Sequence, residues 1–209
     1  TKERPIASGK ISSTLGLFYS AFLCSLAFLV LINFNYFTIF LALASMPLAF
    51  TYPLMKRFTY WPQLFLGITF NYGLILGWTS INTETLFVPI VFYLGAIFWT
   101  LGYDTIYGYQ DIKDDEIIGL KSTSIKFKSN PYFFLRVCYL IFFFTLIIIG
   151  FLMNLNKTYF LFLIPVLYQM FVLQLSKLDV KVPSKCLKAF KSNNLLGLLI
   201  FISILSGKI

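Results

Sequence analysis

Asp104, Asp111, Asp114, Asp115 and Glu116 are five of only eight acidic residues in the chain, and all fall within GYDTIYGYQDIKDDEIIGLKSTSIKF, residues 102–127. Helical spacing puts Asp104, Gly108, Asp111 and Asp115, separated by 4, 3 and 4 residues, in one stripe on one helix face. Asp114 lies beside that stripe. Like charges at this spacing repel, so the stripe costs stability unless cations occupy it. Carboxylates are hard oxygen ligands, and Mg²⁺ is commonly held by one or two of them together with substrate phosphates. Lys113, Lys121, Lys126 and Arg57 supply positive partners for phosphate, so the stretch reads as a metal-diphosphate site. A solvated face of mixed charge accounts for the same residues. Spacing alone leaves both readings open.

The elements that must position these residues are apolar. Hydrophobic residues make up 58% of the 209 residues, charged residues 12%, and the mean hydropathy is +0.81. An ordinary soluble domain has about 25% charged and 45–50% apolar residues. Too few polar groups are present to cover a surface facing water, so the chain reads as an all-α polytopic membrane protein. A helix needs about 20 mostly apolar residues to cross the bilayer core. About seven spans meet that expectation, at 12–32, 37–55, 62–80, 86–106, 131–152, 157–176 and 192–207. The fourth is expected to continue as a helix out of the membrane, carrying the carboxylate stripe.

Charge sets the direction of the spans. Fifteen of the 17 basic residues fall on one side, fourteen in connections and Arg136 near the start of a span, leaving Lys157 and Lys208 on the other. The positive-inside rule then makes the N-terminus and the acidic stretch cytoplasmic or, in a mitochondrion, matrix-facing. The net charge of +9 is distributed as short clusters between apolar runs, which fits anionic headgroups and argues against nucleic acid. There is no His, and Cys24, Cys138 and Cys186 lack CxxC spacing. Cys/His zinc sites, Ser-His-Asp triads and redox pairs are thereby excluded. TKERPIASGK before the first apolar run superficially resembles a signal peptide, but the run is too long, lacks a cleavage site and is followed by further spans.

YDTIYGYQDIKDDEIIGLKST, Tyr103 to Thr123, resembles the second aspartate-rich motif of the UbiA superfamily of intramembrane prenyltransferases. Within that superfamily it is most similar to the 4-hydroxybenzoate polyprenyltransferases. YPLMKRFTYWPQLFLG (52–67) resembles the family's basic loop, and TKERPIASGKIS (1–12) the segment after its first aspartate-rich motif. The blocks occur in family order along essentially the whole chain. Gly108 stands where the family commonly has Ala, a departure expected to leave the chemistry unchanged.

The resemblance implies Mg²⁺-dependent transfer of a polyprenyl group from polyprenyl diphosphate to the ring carbon ortho to the phenol of 4-hydroxybenzoate. This is a step of ubiquinone synthesis in a bacterial or mitochondrial inner membrane. It implies Asp111 and Asp115 as metal ligands, with Asp114 and Asp104 supporting them, and Lys121 on the diphosphate. Arg57 is implied on the diphosphate or the substrate carboxylate, and Arg4 on the diphosphate. Membrane anchoring is the alternative for Arg57, and loop support is an equal alternative for Arg4. Asn71, Asn33 and Asn35 receive no role. Acceptors of the menaquinone, haem or chlorophyll pathways are the alternative within the superfamily, and a non-catalytic membrane fragment is the alternative outside it.

The resemblance also implies a single transmembrane domain over 1–209, forming the remainder of a nine-helix bundle, with the motif region at 107–130. A first motif of the form NDxxDxxxD would lie upstream. The chain is accordingly expected to begin partway through a longer protein and to be inactive alone, because the diphosphate lies between two aspartate motifs.

Overall fold

The structure, a computed structural model, describes residues 5–208. Its regular elements are helical, with no strand among the described residues. The chain forms two compact units, the first ending at Ala44 and the second beginning at Ser45. In the first, α1 (Ser13–Leu31) opens on Ser12, whose hydroxyl accepts from the Leu15 amide at 3.2 Å. None of its side chains is buried within the chain, as suits a helix apolar all round and solvated by lipid. Helix α2 (Tyr36–Thr51), capped by Asn35 through the Thr38 amide, contains the boundary between the units. A tight turn, Tyr52–Leu54, leads into α3 (Met55–Phe58).

The second unit continues with α4 (Pro62–Phe70), α5 (Tyr72–Thr79), α6 (Phe87–Gly108), α7 (Ile112–Ile117) and α8 (Thr123–Lys126). After these come α9 (Pro131–Leu152), α10 (Lys157–Tyr168) with a π-helical continuation at Gln169–Leu175, α11 (Pro183–Lys191) and α12 (Asn193–Ser206). Helix α6 is the hub, packing on α9, α4, α5 and α11, while α10 packs on α12. Helices α6 and α9 approach closely because Gly102 has no side chain: a Cβ there would lie 2.6 Å from the Tyr139 ring. Tyr139 cannot retreat, being fully buried with its hydroxyl donating to Gln174 Oε1 at 2.8 Å. Small residues at such crossings are the usual means of close approach between membrane helices.

Among the described residues, six helices are long and apolar enough to cross a membrane: Ser13–Leu31, Tyr36–Phe58, Phe87–Gly108, Pro131–Leu152, Lys157–Leu175 and Pro183–Ser206. The expected span at 62–80 is instead broken at Asn71 into α4 and α5. The break originates in Asn71 itself, a residue to which neither spacing nor resemblance gives a role. Its amide nitrogen donates to Gly67 O at 2.8 Å and, on α6, to Thr100 Oγ1 at 2.7 Å and Ala96 O at 3.2 Å. A polar group at that depth is tolerated because α6 satisfies it. The basic segment 183–191, expected as part of a connection, is helical and runs into α12 through Ser192.

Candidate active site

The carboxylate region follows α6, but not as the single continuous helix the spacing predicts. Helix α6 ends at Gly108, and the Tyr109 and Gln110 amides bond three residues back, to Ile106 O and Tyr107 O. Tyr109 turns inward and is 4% exposed, its hydroxyl donating to Phe127 O at 3.5 Å. Burial pushes the Tyr109 hydroxyl well above its ordinary range, with Cys186 and Tyr132 adding to the shift, so it remains a neutral donor. Burying this ring turns the chain before Asp111, which becomes the N-cap of α7. Asp104 is therefore on α6, and Asp111 and Asp115 are on the next helix. Their four-residue spacing still holds there: the Asp115 amide donates to Asp111 O at 2.9 Å, so both side chains belong to one turn.

Gly119 closes that turn. Its φ of +73° is a left-handed conformation, and the amides of Gly119 and Leu120 donate to Glu116 O and Asp115 O. This paired closure at a helix C-terminus calls for glycine. It sends the chain back beneath the carboxylates as Lys121–Ser124. The return segment is pinned at every residue. The Lys121 amide donates to Lys56 O at 2.8 Å, and its ammonium donates to Phe58 O at 3.3 Å. The Thr123 amide donates to Gln63 Oε1 at 3.0 Å, and its hydroxyl lies 2.6 Å from that of Thr105. Ser122 caps α8 through the Ile125 amide, and Ser124 donates to Thr105 O at 2.9 Å. Ser122, Thr123 and Ser124 have no exposure at all.

Gly108 belongs to the same cluster. A Cβ there would stand 2.3 Å from Ser124 Oγ. An alanine at this position therefore requires Ser124 to move or to lose its hydroxyl, so Gly108 and Ser124 are coupled in packing.

Among the charged groups, the structure joins Lys56 to Asp115. The Lys56 ammonium lies 3.3 Å from Asp115 Oδ2, and Asp115 is 6% exposed. Lys56 also lines a cavity of about 260 Å³ with Asp104, Gln63, Tyr52, Pro62 and Leu66. Lys56 thus stands between the carboxylate of α6 and that of α7, in electrostatic reach of both. Arg57, the neighbouring basic residue expected at the site, is exposed and does not line this cavity. Asp111 and Asp114 are exposed at the head of α7. Glu116 is taken up by Lys128, at 2.8 and 2.9 Å. Lys126 covers the Trp61 ring at 4.5 Å, an alternative to binding phosphate. Arg4 lies outside the described residues.

Sequence reasoning passed over Lys56 and Gln63. The signal available for both was their place in the basic loop and at the first turn of the helix after it. As for a metal, no group of three or more Asp, Glu, Cys and His is arranged to hold an ion among the described residues. The donors nonetheless fit Mg²⁺ in the manner that needs few protein ligands: one or two hard carboxylates, with phosphate oxygens completing the set.

The chain matches the UbiA prenyltransferase family over residues 1–204. It is 40% identical to the mitochondrial 4-hydroxybenzoate polyprenyltransferase of Bos taurus, with all of this chain and 56% of that protein aligned. It is 38% identical to 4-hydroxybenzoate geranyltransferase 2 of Lithospermum erythrorhizon, with all of this chain and 68% of that protein aligned. The chain thus spans little more than half the length of the bovine relative. Its fold is shared with the apo structure of a UbiA homolog from Aeropyrum pernix K1, with TM-score 0.82, 18% identity, and 99% of this chain and 77% of that one covered. The match spans the segment that folds into α7 and its return, and the chain belongs to the UbiA prenyltransferase family.

Proposed function

We propose that the complete protein carrying this sequence transfers a polyprenyl group from polyprenyl diphosphate to 4-hydroxybenzoate; its relatives' names, 4-hydroxybenzoate polyprenyltransferase and geranyltransferase, support the acceptor and the prenyl transfer. The observation that carries this reading is the arrangement of Asp111 and Asp115 on one turn, with Lys56 bridging toward Asp104. It sets the Asp115 carboxylate beside Lys56, a cation that lines a small cavity together with Asp104. The carbon ortho to the phenol forms a bond to C1 of the prenyl chain, the C1–oxygen bond to diphosphate breaks, and the ring loses its proton. Asp111 and Asp115 are the residues that would hold Mg²⁺, with Asp114 and Asp104 in the supporting roles the resemblance implies. That ion would neutralise the leaving diphosphate. Lys56 and Lys121 would offset the remaining phosphate charge. The low-dielectric interior strengthens these interactions and excludes the water that would intercept an allylic cation.

The reading is tested by supplying the purified complete protein with 4-hydroxybenzoate and a polyprenyl diphosphate. Prenylated product should form with Mg²⁺, vanish with EDTA and return on adding Mg²⁺. Product formation undiminished by EDTA overturns the metal assignment, and no product under any acceptor-saturating condition overturns the reaction.

With α4 and α5 taken together as one crossing, the loops at 107–130 and 177–191 are proposed to share the cytoplasmic or matrix side of an inner membrane, where fifteen of 17 basic residues would then fall. In a Lys113→Cys variant, membrane-impermeant thiol reagents should label the new cysteine from that side. Labelling from the opposite side alone would reverse the topology.

A further inference from the structure

A second cavity, of about 440 Å³, lies away from the carboxylates, between the π-helical stretch and α11 with the start of α12. Its lining includes Gln169, Gln174, Lys177, Lys185, Lys188 and Ser192. The widened turn at Gln169–Leu175, seen in the Ser176 amide bonding five residues back to Phe171 O, brings residues five apart nearly into line. Gln169 and Gln174 therefore reach the same cavity. Both are buried, at 3% and 1% exposure, yet they are satisfied differently.

Gln174 uses both ends of its amide. Its oxygen accepts from Tyr139 at 2.8 Å, and its nitrogen donates to Ser192 Oγ at 2.8 Å. Gln169 uses one. Its nitrogen donates to Ser192 O at 3.4 Å, while Oε1 is buried with no hydrogen-bond partner among the described residues. Flipping the amide would set oxygen against oxygen, so the free atom is an acceptor that calls for a donor. Around the same cavity stand three ammonium groups. Lys185 is paired with Asp179 at 3.7 Å, whereas no ion pair holds Lys177 or Lys188 among the described residues.

A ligand matching these features carries an anionic group for the lysines and a donor for Gln169. An ammonium donor would add charge to a cluster already positive, so a hydroxyl fits better. The cavity lies where a short connection joins two helices long and apolar enough to cross a membrane, in a basic segment of the kind that an anionic leaflet attracts. We infer that this cavity is a binding site for the headgroup of an anionic phospholipid bearing both phosphate and a free hydroxyl, of the phosphoglycerol type. Lys177 and Lys188 hold the phosphate, and Gln169 accepts from the hydroxyl.

The test is a lipid titration of the purified protein in detergent, read by native mass spectrometry. Phosphatidylglycerol should bind at least about tenfold more tightly than phosphatidylcholine. The Lys177→Ala/Lys188→Ala double variant should weaken phosphatidylglycerol by about 25-fold, at about fivefold per lysine. Lys177→Arg/Lys188→Arg should retain binding, which separates charge from fold. Gln169→Leu should cost about fivefold for phosphatidylglycerol and leave phosphatidic acid, which has no headgroup hydroxyl, unchanged. Equal binding of phosphatidylglycerol and phosphatidylcholine, or indifference to the lysine double variant, overturns the site. Glycerol phosphate binding as tightly as the lipid assigns the cavity to a soluble phosphate ester and overturns the lipid reading.

Discussion

Asp111→Asn or Asp115→Asn, in the complete protein, should lower prenyl-transfer turnover by at least about 100-fold, whereas Glu116→Gln should leave it within about threefold. The three residues lie on or beside one short helix, so composition alone does not separate them; geometry does. Asp111 and Asp115 share a turn of α7, closed by the Asp115 amide on Asp111 O. Glu116 points elsewhere and is neutralised by Lys128 at 2.8 Å. Two carboxylates able to bind a hard cation stabilise charge that develops only as diphosphate departs, and a contribution of several kcal/mol to that step is about 100-fold or more in rate. Asparagine keeps the size and one oxygen of aspartate, so Asp115→Asn retains an acceptor for Lys56 and should fold. Turnover is measured with both substrates saturating and Mg²⁺ in excess, alongside thermal melting in detergent. A loss for Glu116→Gln as large as for Asp111→Asn, at unchanged melting temperature, would show that the charge of the whole stretch matters and not the pair on one turn.

What the sequence displayed of this fold was what depends on local chain length and polarity. Apolar runs of about 20 residues were legible as spans because the bilayer fixes that length. The break at Asn71 was not, because its cause is tertiary: the amide is satisfied by Thr100 and Ala96 on α6, residues that no local pattern joins to it. The carboxylate pair was legible from its four-residue spacing. The turn separating it from Asp104 was not, since it depends on the burial of Tyr109 against the chain near Phe127. Gly119 shows the same divide from another side. Its left-handed φ ends α7 and returns the chain so that the Lys121 amide meets Lys56 O. That one backbone bond decides which of two adjacent basic residues comes to the carboxylates. Lys56 and Arg57 look alike in a charge count, and only the docking of the return segment distinguishes them.

Lys56→Met should therefore lower turnover by about 100-fold, with Arg57→Met costing less than tenfold, and Lys56→Met should also destabilise the protein. Asp115 is 8% exposed at its side chain and is paired with Lys56 at 3.3 Å. Removing the partner of a buried ion costs about 3–5 kcal/mol. Here the Lys56 side chain is 43% exposed, so solvent screens part of the interaction and a cost of about 1–2 kcal/mol is the better expectation. The two effects separate in a double variant. Lys56→Met/Asp115→Asn has no unpaired charge to bury, so it should recover most of the lost thermal stability while remaining inactive. Activity has a different origin: Lys56 is the cation set between Asp115 and the cavity that Asp104 lines, where diphosphate charge must be offset. The measurement is a double-mutant cycle of melting temperature and turnover, with Arg57→Met as the control for loop charge. A double variant no more stable than Lys56→Met would mean the ion pair is not what Lys56 supplies to the fold. Equal losses of turnover for Lys56→Met and Arg57→Met would mean that the loop acts through its net charge and not through the contact with Asp115.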